Sequence, residues 1–453
     1  MPRPKKKTTG AASFCVPRAA IEALIDHQAS AYEICTYLTL ACFTDPTGCY
    51  STASVHAAST YTGANKARLA KAIARLKTIT AKRSTSTPAP APRGRRALPP
   101  PPQDLGPILY DRAGWEQVTG EVLPVGATPQ TTVQHVLPDF NEPLAERVWF
   151  GSNLVRGVGG FDRPLKALKN AGEEAARLLL LLYAAHDMDL WGGVDPHRGP
   201  WVHYEPADFN YPPKPFNERP YSEPIYGGQI LRWTRAGTVS SGDFGKVWRA
   251  PGSDWWTAHT KAGGPMWRAI EALEAIGLIY EMVLVLNRRG EAKTFASGAE
   301  HYAVPANAEP LYELAARTRH GWQPAGEEGL ADATAATVEH LRYPVNPHGV
   351  PGRDTYAALV PTGHGAMIAG VYRLRFRPSN PKNAGVRNAW ARIHQGNRDG
   401  FALIQAARAA HKLPELPSRT EDLQKEAPKR EARTRKTAGN RPKIARSRER
   451  TLQ

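Results

Sequence analysis

The sequence predicts a mainly α chain with small β-hairpins, an α+β protein, and three observations carry that prediction. Apolar residues recur at helical spacing over several long stretches, and short strand-like runs follow some of them. A composition of 41% hydrophobic and 22% charged residues over 453 positions supports real cores in more than one domain. The basic excess is confined to the two ends, which separates the packed regions from charged flanks.

Taken in order, residues 1–15 are basic and read as a disordered N-terminus. A first domain is expected over 16–125. Within it, 31–43 places Ile34, Leu38 and Cys42 at helical spacing, and Asp45-Pro46-Thr47-Gly48 breaks the pattern as a turn. Ser51 is expected to cap a short helix over 52–60. Tyr61-Thr62-Gly63 then makes a tight connection to a further helix over 64–77. Residues 78–82 read as a strand, and 84–103 as a Pro-rich insertion carrying Arg93, Arg95 and Arg96. The returning strand is expected within 108–110 and 115–122.

A second domain is expected over 145–305. Leu165, Leu168, Ala175, Leu178, Leu179 and Leu182 support one long, largely buried helix over 163–188. A Pro/Trp/Tyr-rich loop region, a helix over 265–276 ended by Gly277, and a hairpin follow. That hairpin has strands 278–286 and 302–304 with its turn at 287–290. Residues 306–413 read as a C-terminal α+β region with helices near 330–341 and 384–410 and a strand at 371–376. The aromatic-free stretch 414–453 reads as a disordered basic tail.

Counting charge by region sharpens its meaning. Residues 1–97 carry 15 Lys/Arg and 4 Asp/Glu, residues 412–453 carry 13 and 6, and the remainder is nearly balanced at 31 and 32. Basicity held at the ends suits a polyanion, because clustered Lys and Arg neutralise phosphates and release counterions. An anionic membrane surface suits it less, since no amphipathic segment with large apolar residues accompanies the charge. The longest apolar run, 178–185, falls far short of the roughly 20 residues of a membrane helix. The basic start is followed by Thr8-Thr9-Gly10 where a signal peptide would place its apolar segment, so a cytoplasmic, nucleoid- or plasmid-associated protein is expected. Cys15, Cys35, Cys42 and Cys49 form no zinc-finger spacing and read chiefly as buried reduced thiols.

The strongest constellation is the tri-helical order over 31–77. Helix, short helix, Gly-containing turn and second helix is the order of a helix-turn-helix, whose last helix enters the major groove. At about 100° per residue, Leu69, Ile73 and Leu76 share one side of that helix, while Arg68, Lys71 and Arg75 share the other. Asn65 and Lys66 sit at its N-terminus, and no acidic residue interrupts 64–82, where Lys82 and Arg83 continue the charge. Such a ridge suits phosphates and guanine edges. The bland reading is a solvated amphipathic face.

The second helix differs. Met266, Ile270 and Leu273 form its buried face, and Glu271 shares the exposed face with Arg268 and Ala275. A carboxylate there repels phosphates, so contact is expected chiefly from Arg288 and Arg289 at the hairpin turn, or the unit serves dimerisation. Its phrase 269–279 resembles the third helix of winged-helix domains running into the wing. Two winged-helix-like domains in tandem, flanked by basic ends, resemble plasmid replication initiator proteins of the theta-replicating kind. The stretches 147–155, 163–186 and 192–194 also resemble helix-turn-helix proteins of bacterial plasmids and phages. The initiator resemblance implies a protein that binds double-stranded DNA at origin repeats, with a homodimer through the second domain and host replication proteins as further partners. The Pro-rich insertion departs from a compact wing.

Neither a cofactor nor a catalytic residue is expected. Gly242-Asp243-Phe244-Gly245-Lys246-Val247 lacks the spacing of a phosphate loop. His186, Asp187, Asp189, Asp195, His197 and His203 could serve a metal-dependent nuclease, but their spacing matches no ligand pattern, and no metal site is assigned. Trp191, Trp201, Trp233, Trp248, Trp255, Trp256 and Trp267 could stack on unpaired bases and are read instead as core-packing and loop-anchoring residues. A transcriptional regulator of a mobile element would use the same helix at a promoter.

Overall fold

The computed structural model describes residues 13–83, 103–126, 128, 131–144, 146–158, 163–187, 191–206, 224–225, 228–240, 264–288, 308–318, 321–324, 343–344, 354–361 and 365–378. The tail at 414–453, the helices expected near 330–341 and 384–410, the Pro-rich insertion up to 102, the phrase 242–247 and Arg289 lie outside these residues.

The described chain opens with β1 (Ser13–Val16), inside the stretch expected to lack structure, and continues through α1 (Arg18–Asp26) and α2 (Ala31–Cys42). The start of α2 is set by a capping box: Ser30 Oγ accepts from the Glu33 amide while the Glu33 carboxylate accepts from the Ser30 amide at 2.7 Å. After β2 (Tyr50–Ser51), the next helix is α3 (Val55–Thr62), capped by Ser54. The expected cap, Ser51, is used otherwise. Its hydroxyl donates to the Leu40 carbonyl at 2.6 Å, which ties β2 to the end of α2. Gly63, with φ 63°, ends α3 in the left-handed conformation that favours glycine, and Asn65 starts α4 (Lys66–Leu76) by accepting from the Arg68 amide at 2.8 Å.

A two-stranded ribbon follows, β3 (Thr80–Arg83) antiparallel to β4 (Gln103–Pro107), with Thr80 opposite Pro107 and Arg83 opposite Gln103. The return strand thus lies earlier than expected. Downstream come β5 (Tyr110–Asp111) and α5 (Arg112–Thr119), which occupies sequence read as strand. Asp111 caps α5 by accepting from the Gly114 amide at 2.7 Å, and Gly120 ends it with φ 71°. Together β2, β5 and β6 (His135–Val136) form a small sheet that packs Leu123, Val133 and Val136 against Tyr50, Tyr110 and Trp115.

Next, β7 (Val148–Gly151) pairs with β1, and α6 (Asn153–Arg156) leads to α7 (Pro164–Ala171) and α8 (Glu173–Ala184). One long helix was expected here. Gly172, at φ 103°, interrupts it, a conformation L side chains rarely adopt. The apolar pattern passes through the break because both helices face one core. In α8 every residue from Leu178 to Ala184 is buried, as in a helix enclosed on all sides.

The remaining strands are β8 (His186–Asp187), β9 (Gly193–Val194), β10 (Trp201–Pro206), β11 (Pro224–Ile225) and β12 (Gly228–Ser240). After α9 (Pro265–Ala275) come β13 (Ile279–Arg288), β14 (Ala308–Thr318), β15 (Gly321–Pro324), β16 (Tyr343–Pro344), β17 (Asp354–Pro361) and β18 (Gly365–Leu374). A nine-stranded antiparallel sheet in the order β15-β14-β13-β18-β10-β12-β17-β16, with β11 beside β12, dominates this half. The described residues are therefore mixed α and β, compatible with α+β, and the strands exceed small hairpins. The strand after α9 is interior: β13 pairs with β14 on one side and β18 on the other, and the return expected at 302–304 lies outside the described residues. Sheet hydrogen bonding also crosses the boundary expected at 305/306.

One continuous apolar core runs from Phe14 through α2, α4, α7, α8 and α9 to Phe376. Within it, Phe150 stacks on Phe14 at 5.4 Å and meets Tyr183 at 4.4 Å between ring centres. The Tyr183 hydroxyl donates to the Phe376 carbonyl at 2.7 Å, closing the N-terminal helices onto the end of the sheet. On the other sheet face, Trp191 and Trp201 pack with Met282, Leu284, Leu286, Ala369 and Val371. Their burial accounts for these two tryptophans as packing residues.

Candidate nucleic-acid interface

The periodicity of α4 sorts its residues as the sequence predicts. Leu69, Ala72, Ile73 and Leu76 are buried, while Asn65, Lys66, Ala67, Arg68, Ala70, Lys71, Ala74 and Arg75 are exposed. Because the buried face joins the cores of α2 and α3, the opposite face must point outward, and its cations are held on a packed helix. Among the described residues, none of Lys66, Arg68, Lys71 and Arg75 has a carboxylate within ion-pair distance. Arg68 donates to the Tyr32 hydroxyl at 2.8 Å and lies 5.5 Å from that ring's centre. Arg75 donates to Thr78 Oγ1 at 3.0 Å. Both partners are neutral and compensate no charge.

The ribbon residues behave differently. Ala81 is buried, and Lys82 and Arg83 are exposed. Lys82 lies near Asp26, whose carboxyl is raised by burial against the opposing pull of His27 and Lys82. Arg83 donates to the Phe140 carbonyl at 2.7 Å, which commits part of its guanidinium to the fold. At the C-terminal end of α4, Lys77 pairs with Asp111, the cap of α5. Asp111 is held below its usual range by the Lys77 hydrogen bond and the Gly114 amide. Beside them, burial drives the His135 imidazole down to about 4, helped by Lys77 and opposed by Asp111.

The second helix, α9, buries Met266, Ala269, Ile270 and Leu273 and exposes Arg268 beside Glu271, as the pattern predicts. Trp267 Nε1 donates to Glu271 at 2.5 Å. Arg288 ends β13, opposite Ala308 and Gly365, so it sits within the wide sheet instead of at the tip of a short hairpin.

Two cations that the sequence did not single out lie close to that face. Lys166 of α7 runs its side chain across Gly63, where a Cβ would meet its Cδ at 3.0 Å. Lys169, one turn on, places its ammonium 5.5 Å from the centre of the same Tyr32 ring that Arg68 touches. A signal was present: Arg163, Lys166 and Lys169 recur every third residue, with Arg163 and Lys166 exposed and Lys169 half-buried at the flank of the apolar face.

The histidine and aspartate cluster does not form a ligand set among the described residues. His186 is half-buried with both ring nitrogens covered, and its pKa falls to about 3 through burial, with Arg377 and Arg373 adding to the fall. Asp195 accepts from the His197 amide at 2.9 Å and forms a turn with Arg198, and its carboxyl is raised by burial. No helix among the described residues is long and apolar enough to cross a membrane. Comparison with protein-family models, with curated proteins and with solved structures finds no match for the chain.

Proposed function

We propose that the protein binds double-stranded DNA sequence-specifically through α4, with the first five helical and ribbon elements around it acting as a winged helix. The observation that carries this reading is the exposed face of α4: Lys66, Arg68, Lys71 and Arg75 on a helix anchored by Leu69, Ile73 and Leu76, with no carboxylate paired to any of them among the described residues. A helix of this width fits the major groove, and its cations suit phosphates and guanine edges. The β3–β4 ribbon follows α4 directly, in the chain order that a wing takes, which supports the reading.

Within that reading, the protein is a replication initiator of a plasmid or other mobile element, acting in the cytoplasm on origin repeats. The region around α9 serves a homodimer or host replication proteins, since Glu271 on its outer face disfavours close approach to phosphates. The proposed chemistry is binding without catalysis.

The test is a triple substitution, Arg68→Ala, Lys71→Ala and Arg75→Ala, in the full chain. All three side chains are exposed, so folding is retained by circular dichroism while specific retardation of a cognate site is lost. The site itself comes from sequencing bound fragments of the source replicon. Binding that survives the substitution with an unaltered salt slope would overturn α4 as the reading helix. Repeated sites within an adjacent origin support initiation, and an operator overlapping a promoter would replace it with transcriptional control.

A further inference from the structure

We propose that α7 supplies a second contact ridge, in which Lys166 and Lys169 hold backbone phosphates of the same duplex that α4 reads. This rests on the reading of α4 as the DNA-facing helix. Three features of the geometry argue for it.

First, α7 is fixed against α2 and α3, the two helices that precede the turn. Its Leu165 and Leu168 are fully buried, and Cys35 Sγ of α2 lies 3.5 Å from the Leu165 carbonyl as donor. The outward face of α7 therefore has a set position relative to α4. Second, the two faces meet over one side chain. Tyr32 packs beside Ala58, Ala64 and Leu69, the small cluster that seats the α3–α4 turn. Arg68 and Lys169 each stand 5.5 Å from the centre of its ring, so their charged ends lie no further apart than twice that distance. Ring contact of this kind stabilises each cation modestly, about 0.5–1 kcal/mol at an exposed site, and compensates no charge. Third, among the described residues, two carboxylates adjoining these elements are engaged elsewhere. Glu33, next to Tyr32 in sequence, accepts from the Ser30 amide at 2.7 Å, and Glu173, just past α7, faces Arg177 at 3.6 Å.

Like charges gathered on rigid supports without a counter-ion repel one another unless an anion joins them. A duplex backbone is the anion this spacing suits, because it offers phosphates in series beside the groove that α4 enters. The stem of Lys166 lies across Gly63, beside the turn leading into α4. Phosphate contacts there orient the helix and carry no sequence information.

The experiment compares the full-length protein, the triple α4 variant and a Lys166→Gln, Lys169→Gln double variant on one cognate duplex across a salt series. Glutamine keeps a stem over Gly63 and Tyr32 while removing charge. The expected result is that the slope of log affinity against log salt falls in magnitude by about 2, one unit per lost phosphate contact, with the ratio of specific to nonspecific binding unchanged. If the α4 variant loses specific binding and the α7 variant keeps the full slope, the α7 ridge is overturned and the α4 reading stands. If the unaltered protein fails to retain the duplex at low salt, both fall together.

Discussion

Substituting Leu180 in α8 by alanine tests whether the helical half and the sheet half share one core. Leu180 is fully buried at 0% exposure, on a helix whose neighbours on every side are apolar. Deleting a buried leucine side chain beyond Cβ removes its transfer free energy and leaves a cavity, which costs about 2–5 kcal/mol. Because α8 belongs to the cluster that joins α2, α4, α9 and β13, that loss should appear in all of them. Native-state hydrogen exchange read by mass spectrometry resolves the regions. Amides that open only with the whole core should exchange about 30-fold to several thousand-fold faster in peptides covering 31–42 and in those covering 279–286, by the same factor. A Tyr183→Phe variant provides a milder companion, since it strands the buried Phe376 carbonyl and costs about 1–3 kcal/mol. Acceleration confined to one set of peptides would refute the shared core and restore two separately folding domains.

Three other outcomes follow from local geometry. Gly63→Ala forces an L residue to φ 63° and sets its Cβ 3.0 Å from Lys166, so stability should fall by about 1–2 kcal/mol in urea titration; an unchanged midpoint would mean the turn relaxes freely. His135 is held neutral to about pH 4 by burial, while in the unfolded chain it titrates near the ordinary imidazole value of 6.5. The folded pKa is the lower of the two, so the unfolded state takes up the proton first, and stability should decline as pH falls from about 6.5 to 4. A His135→Gln variant should lack that component, and identical pH profiles would count against it. In thiol labelling of the native protein, Cys49, the half-buried cysteine, should react first, while Cys35, enclosed and pushed up to about 12 by burial, should stay unlabelled until unfolding.

The parts of the fold legible in the sequence are those specified by neighbours. The two faces of α4 follow from eleven consecutive residues, and Asn65 at its start and Gly63 before it act within one turn. Likewise, the exposed Arg268 and Glu271 of α9 could be read from spacing alone. Where a local signal had rivals, the reading slipped by a few residues: Ser51 and Ser54 both suit a cap, and only the packing of β2 against Leu40 sends Ser51 elsewhere. The apolar pattern across 163–188 was legible as burial but not as two helices, since hydrophobic spacing registers the core and ignores the backbone angle at Gly172. Similarly, α5 was mistaken for a strand because its short run shows no buried face at all, and its evidence lies in the flanking Asp111 and Gly120.

The wide sheet was beyond such reading for a different reason. β13 was recognised as a strand, and a hairpin was the nearest partner that sequence proximity offered. Its pairing with β18, Ile279 opposite Leu374, depends on a chain return that no local spacing encodes. That difference also decides how the basic surface should be understood. Read along the chain, α4 and α7 belong to separate segments, each with its own amphipathic logic, and only α4 stands out as a ridge. In three dimensions Leu165 and Leu168 seat α7 on the core shared with α2, and Tyr32 brings Lys169 to Arg68. A basic surface of this kind is thus assembled by apolar contacts on its hidden side. Its extent follows from which helices share that core, so charge counted by segment understates it.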